Sequence, residues 1–406
     1  MKYEVHLIQP IAVNRMNTNG DKQPKTIDFG GYTRARLSSQ SQKYASRKYT
    51  QEFGLLDQNE IALRTRKFTQ LIQAELEKQG FSPDDAITLA QFAMSAIGMS
   101  HKKGDDKKFE QPLLNEYMIL CCQSEIDAFV AAVIRHQDAI RKVSLAKPVA
   151  ADEETPKSND SPVKSKSKLT AKKALARQFP EVVRSDLAEA FIAHRNLEVT
   201  LYGRQLADFP EGTVDGQVQV AHAIAVNYAP RELDFFVSID DLAAPGEAEA
   251  GMLDDLEVTA PTLYRTAAVN TSQIARALGS YEAAVLGTKA FLEAFTASLP
   301  AGGKNSYHAT TAPTFVLFRE VRRGSPLSFA PAFENPVRPE RHRSLSEMAV
   351  ARLDEYIRKL ETAFPSFKSE RQCCINLTDY EFQNAPSVKN LRAALEYMLQ
   401  GRNIDG

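Results

Sequence analysis

The sequence is short of several things, and each shortage excludes a class of protein. Its 406 residues hold only four cysteines, in two adjacent pairs, Cys121-Cys122 and Cys373-Cys374. Zinc sites space their cysteines at least two residues apart, so adjacent pairs do not read as ligands. Buried thiols in a cytoplasmic protein are the expectation. The seven histidines are scattered, which argues against a His-rich metal site. No apolar run approaches the ~18 residues of a membrane span, so no membrane partner is expected. The start, Met1-Lys2-Tyr3-Glu4-Val5-His6-Leu7-Ile8, alternates too strictly for a signal peptide. Enzyme motifs are missing as well: there is no GxSxG, no GxGxxG and no GxxxxGKS/T. Gly302-Gly303-Lys304 lacks the first glycine and the hydroxyl residue of a phosphate loop. No cofactor and no catalytic residue is expected. The net charge is −1, from 50 Lys+Arg against 51 Asp+Glu, which excludes coating of nucleic acid through sheer basicity. A local basic groove is still open, because charge acts through its distribution.

Along the chain, residues 3–8 alternate as an edge or half-buried strand. A loop rich in Gly, Pro and Asn runs from Asn14 to Gly31. Then comes an extended stretch to Leu37 and a helix to about Phe53, capped by Ser38 or Ser39. Residues 59–145 read as helical: one helix at 59–79, one capped by Ser82 with Pro83 in its first turn, and one over 112–143. Residues 147–173 are rich in Pro, Ser, Lys and acids and read as a flexible linker. Beyond them, 197–201 alternates as a strand and 217–228 fits a helix. Strands are expected near 233–239 and 262–269, at 314–321 and at 373–379. Helices are expected at 271–299, 345–363 and 387–400. Strands and helices mix without a βαβα rhythm, so the fold class is α+β with insertions.

The charge is segregated. From Lys22 to Lys48 seven basic residues face one acid, Asp28. From 157 to 177 seven basic residues face one acid, and from 232 to 257 there are nine acids and no base. If 32–37 is extended, Arg34 and Arg36 share a face. If 40–53 is helical, Gln40, Lys43 and Arg47 form one stripe, with Leu37, Ser41, Tyr44, Ala45 and Lys48 on the neighbouring, core-side face. Both basic faces converge on a helix start where Ser38, Ser39 and free N–H groups gather, a ready phosphate site. A solvated basic helix face has the same spacing. Asn14, Arg15 and Lys25 are loop residues able to close over that site. Asp240-Asp241 and Asp254-Asp255 could bind a metal, but a solvated acidic hairpin explains them as well.

One resemblance is specific. Asn14-Arg15, Lys25 and Phe29-Gly30-Gly31-x-x-Arg34-x-Arg36-x-Ser38-Ser39-Gln40-Ser41-x-Lys43 resemble the N-terminal signature of the CasC-type backbone subunit of type I-E Cascade, the CRISPR surveillance complex. Downstream, Gly203-Arg204, Val214-Asp215-Gly216, Val220-Ala221-His222-Ala223-Ile224, Leu233-Asp234-Phe235-Phe236, Tyr264-Arg265 and Lys304-Asn305-Ser306-Tyr307 follow in family order. The resemblance implies an RRM-like (ferredoxin-like) palm at 1–54 and 196–406. A thumb hairpin at 229–262 and helical fingers at 55–146 are inserted in it, with 147–195 as linker and return. It implies a subunit that binds CRISPR RNA, stacks with copies of itself and joins other Cascade subunits. Recognition of target DNA is then left to base pairing, and cleavage to a recruited nuclease-helicase. The RNA-contacting residues it implies are Asn14, Arg15, Lys25, Arg34, Arg36, Ser38, Ser39, Gln40, Lys43, Arg47 and Arg204. Phe235, Phe236, Met252 and Leu253 would supply a wedge between bases, although at least one of the two Phe residues is expected in strand core. Where the family often has further bases after the paired glycines, this chain has Tyr32 and Thr33, and Tyr32 is suited to stack on a base or sugar. The alternative is a type III-like subunit that cuts target RNA with Asp208, Asp240 or Asp241.

Overall fold

The computed structural model describes residues 1–99, 101–102, 114–145, 174–239 and 250–400, with side chains omitted at 101–102, 237–239 and 250–254. In chain order the strands are β1 (Lys2–Pro10), β2 (Thr26–Phe29), β3 (Tyr32–Leu37), β4 (Leu63–Thr65), β5 (His101–Lys102), β6 (Leu114–Asn115), β7 (Ile119–Cys121), β8 (Val218–Val220), β9 (Ala223–Ala225), β10 (Glu232–Ile239), β11 (Ala250–Val258), β12 (Thr262–Val269), β13 (Phe315–Val321) and β14 (Arg371–Asn376). The described helices of six residues or more are α1 (Ser39–Glu52), α2 (Phe68–Lys78), α3 (Pro83–Ala96), α4 (Gln123–Arg135), α5 (Gln137–Leu145), α6 (Glu181–Ala193), α7 (Leu197–Tyr202), α8 (Thr271–Leu278), α9 (Tyr281–Ala297), α10 (Leu345–Ala363) and α11 (Leu391–Leu399). The chain forms two compact units, residues 1–56 with 217–406, and residues 57–216.

The first unit is built on an antiparallel sheet in the order β14-β13-β1-β12-β9-β3-β2, with β8 also on β12. Strand β1 is central, not an edge: it pairs with β12 on one side and β13 on the other. All of residues 3–9 are buried, because helices and loops cover both faces. On one face Ile8, Tyr264, Phe315 and Leu317 pack with Val350, Leu353 and Ile357 of α10. On the other, Gln9 reaches α1 and α9 through Arg265, whose guanidinium donates to Gln9 Oε1 (2.6 Å), Gln42 Oε1 (3.2 Å) and the Phe295 carbonyl (2.9 Å). Burial lowers Arg265 to a pKa of about 9, still protonated at neutral pH.

Strands β2 and β3 are joined by Gly30-Gly31, both at positive φ (60° and 78°), as a two-residue hairpin between Phe29 and Tyr32 requires. Residues 217–228 are strands β8 and β9, not a helix. The Ala-rich run carries no strand signature of its own, and pairing with β12 and β3 decides its state. Strands β10 and β11 form a separate two-stranded hairpin. All four cysteines are buried and free, and burial pushes the Cys373 and Cys374 thiols up to about 12 and 11.

The second unit is mainly helical and differs from expectation at four places, the first being that the helix expected at 59–79 begins only at Phe68, after strand β4. The stretch 112–143 is not one helix: β7 precedes α4 and α5 and pairs with β4. Residues 197–201 are helix α7 rather than a strand. Asn196 caps it by accepting from the Val199 N–H (3.0 Å), and Gly203 ends it at φ 69°. All five residues are buried, so their alternation never marked a half-exposed face. Helix α6 is core rather than linker: Val183, Leu187 and Phe191 pack with Phe68, Phe129 and Phe209. The unit therefore runs to 216. Residues 147–173 lie outside the described part.

Candidate nucleic-acid interface

The N-terminal basic cluster converges where β3 enters α1, but not all of its members arrive there. Ser38 is the cap: its Oγ accepts from the Ser41 N–H (3.3 Å), and its own N–H donates to Asn17 Oδ1 (2.8 Å). Helix α1 has no acid in its first turn, so its positive end is not neutralised locally. Ser39 and Lys43 are half-buried on that end and Gln40 is exposed. Burial lowers the Lys43 ammonium below its ordinary value.

Strand β3 and its neighbours add Arg36 and Lys25. The Lys25 carbonyl accepts from the Arg36 N–H (2.9 Å), and the Lys25 N–H donates to the Asn17 carbonyl (2.9 Å). Arg36 Nη1 lies 2.7 Å from His222 Nδ1, in the β8–β9 connection. Guanidinium only donates, so Nδ1 is the acceptor and the proton of neutral His222 sits on Nε2. Burial, then the charges of Arg36 and Lys25, lower the His222 pKa below its ordinary value. In the sequence His222 is a motif residue without a role, and Asn17 is one loop residue among many. Only the fold brings residue 222 to residue 36.

Other members serve the scaffold. Arg34 is fully buried: it donates to the Ala225, Val226, Phe333 and Glu334 carbonyls at 2.9–3.2 Å. It does share a strand face with Arg36, but the segment around 333–334 covers it. Arg204 lies in the other unit, buried in an ion pair with Glu125 (2.7 Å). Neither presents a charge to a ligand in this structure. Asn14 is also buried: its Nδ2 donates to the Ala12 and Thr259 carbonyls (2.9 Å each), and its Oδ1 accepts from the Met16 N–H (3.1 Å). It pins the loop to the foot of the hairpin, as does Gln23 Nε2 to Glu257 Oε1 (2.8 Å). Arg15 is half-buried and donates from Nη2 to the Lys22 carbonyl (2.5 Å), and Arg47 is half-buried on α1. The core-side face of α1 is Gln42, Ala45, Ser46 and Thr50, while Tyr44 is 57% exposed with Lys48 over its ring. The stripe expected to face the core was thus displaced around the helix.

On the hairpin, neither phenylalanine is strand core: Phe235 is 62% and Phe236 36% exposed. Two strands alone have no second layer to bury them. The side chains of Met252 and Leu253, and residues Asp240 and Asp241 entirely, lie outside what is described. Asp208 sits in the helical unit. No described helix is long and apolar enough to cross a membrane.

The sheet unit is thus an antiparallel α+β fold that carries Lys25, Arg36 and Lys43 near a strand-to-helix junction with no acid in the first helical turn. The chain belongs to the family of CT1975-like proteins, whose model matches residues 3–400. This is the CasC-like backbone-subunit family to which the N-terminal motif pointed. Its structure is similar to a chain of a "CRISPR RNA-guided surveillance complex, pre-nicking", with 27% identity, a TM-score of 0.77, and coverage of 98% of this chain and 99% of that one. A chain of a "CRISPR RNA-guided surveillance complex" shares the fold at 24% identity and a TM-score of 0.69, again over 98% and 99% of the two chains. No curated protein sequence matches.

Proposed function

We propose that this protein is a guide-RNA-binding backbone subunit of a CRISPR surveillance complex. The sheet unit is the RRM-like palm, residues 57–216 are the fingers, and β10–β11 is the thumb. Several copies stack along one CRISPR RNA in the cytoplasm beside other Cascade subunits. Base pairing reads the target DNA, and a recruited nuclease-helicase cuts it. The chain itself performs no chemical step. The observation that carries this reading is the convergence of Lys25, Arg36 and Lys43 on the acid-free start of α1. Cations of that kind hold phosphate without reading sequence.

Arg36→Ala with Lys43→Ala is the test. Both residues are partly exposed, so the variant is expected to fold. RNA co-purifying with the complex should be lost, and unchanged RNA retention would sink the assignment of these residues. Incubating the assembled complex with complementary RNA and magnesium should leave that RNA intact. Cuts at regular intervals would instead favour the RNA-cleaving alternative.

A further inference from the structure

The face of β3 that carries Arg36 does not end there. By alternation Tyr32, Arg34 and Arg36 share it. The segment around 333–334 crosses over Arg34 and divides the face in two. On the far side from Arg36 lies a cleft of about 520 Å³, lined by Tyr32, Tyr228, Pro336, Val337, Arg338 and Pro339 among others. Strand β9 pairs Ile224 with Arg36 and runs antiparallel to β3, which brings Tyr228 alongside Tyr32. Both rings are open to solvent, at 39% and 56% exposure. The floor is apolar, with Pro336 and Val337 buried, and the Val337 N–H is tied to the Val226 carbonyl (2.8 Å). Arg338 is exposed at the rim, and no carboxylate lines the cleft. The Arg34 guanidinium lies 5.8 Å from the Tyr32 ring centroid, adding positive charge behind it.

We propose that this cleft takes a nucleobase of the bound single-stranded RNA, stacked on Tyr32 and Tyr228. The inference rests on the RNA-binding reading above and adds a second kind of contact to it. Phosphate ligands and exposed aromatic rings on one strand face are the two parts of a single-strand platform. Four residues at about 3.3 Å each put Tyr32 ~13 Å from Arg36 along the strand. That is about four nucleotides if stacked at ~3.4 Å, fewer if extended. The cleft is therefore within reach of a strand anchored at Arg36. The cationic rim and the lack of lining acid suit a polyanion. Stacking tolerates any base, as a guide of arbitrary sequence requires.

The test uses the full complex with its RNA. Irradiation at short ultraviolet wavelength followed by mass spectrometry should find nucleotide adducts on the peptides that hold Tyr32 and Tyr228. Tyr32→Ala and Tyr228→Ala should each weaken RNA retention about 5- to 150-fold, the range for a stacked base. Tyr32→Phe and Tyr228→Phe should retain it. Absent adducts with wild-type retention in the alanine variants would overturn the proposal. A fall in copies per RNA, with no adducts and unchanged RNA affinity per copy, would overturn it in favour of a second protein copy in the cleft. A wild-type complex free of RNA would remove this proposal and the RNA-binding reading together.

Discussion

Arg204 has a different place in the fold from the one its motif implies. The motif makes it an RNA contact, whereas the structure makes it the keystone of the helical unit. Its Nε donates to the Gly212 carbonyl (2.8 Å), its Nη1 to the Leu120 carbonyl (3.2 Å) and Glu125 Oε1 (2.7 Å), and its Nη2 to the Phe191 carbonyl (3.3 Å). The guanidinium also lies 4.1 Å from the Phe191 ring centroid. Arg204→Met keeps bulk but leaves Glu125 buried, with Cys122 still donating to it from its N–H (3.1 Å) and its side chain. Removing one partner of a buried pair costs about 3–5 kcal/mol. In a unit of this size that is a fall in Tm of ~2–4 °C per kcal/mol. The loss should depend on pH. Burial raises the Glu125 pKa above its ordinary 4.5, and Arg204 only partly offsets this. Without Arg204 the carboxyl rises further. A carboxyl whose folded pKa exceeds its unfolded pKa loses stability as pH rises through the folded value. The deficit should therefore be smallest near pH 4.5 and grow toward neutrality. Adding Glu125→Gln should restore most of it. The assay is urea unfolding of RNA-free protein, monitored in the helical unit. Wild-type stability for Arg204→Met together with lost RNA binding would refute the reasoning.

Two further outcomes follow from the sheet unit. Buried His6 donates from Nε2 to Glu4 Oε2 (3.2 Å), and its Nδ1 faces the Tyr264 hydroxyl (2.9 Å). Burial holds His6 below its ordinary 6.5, so it is neutral at pH 7. Burial opposes ionisation of Glu4, but the His6 hydrogen bond, Arg319 and the Leu327 N–H outweigh it and keep its pKa below 4.5. Both folded values are depressed, so stability should fall as pH drops below about 6.5, and again below about 4.5. Urea midpoints that stay flat from pH 7 to 4 would contradict this. At the β2–β3 turn, a Cβ on Gly30 would lie 1.9 Å from the Glu334 carbonyl oxygen, whereas one on Gly31 meets nothing within 4 Å. Gly31→Ala should cost about 1–2 kcal/mol from positive φ alone, and Gly30→Ala clearly more. Equal unfolding midpoints would show that the close approach is not maintained.

The sequence was most legible where local rules and tertiary packing agree. Ser38 and Ser82 cap their helices as the spacing predicts, and Pro83 opens α3. It misled where packing overrode pattern. Val218 to Ala225 became strands through pairing alone, and 197–201 became helix because every side chain there is buried, Glu198 included. The basic cluster was legible as a cluster, but not its division of labour. Arg34 and Arg36 are two residues apart on one face, and what separates them is a segment some 300 residues downstream covering only Arg34. The same long-range closure hides the His222 contact and the tyrosine cleft. Periodicity places a side chain on a face but does not say what crosses that face.

The proposed role requires several copies of this chain to assemble along one RNA. The most direct measurement is the nucleic-acid content and subunit stoichiometry of the complex purified from its native operon. One RNA of discrete length bound to more than one copy of this chain, released by nuclease or high salt, is the expected result. A complex with the absorbance ratio of pure protein, or one copy per RNA, would contradict it.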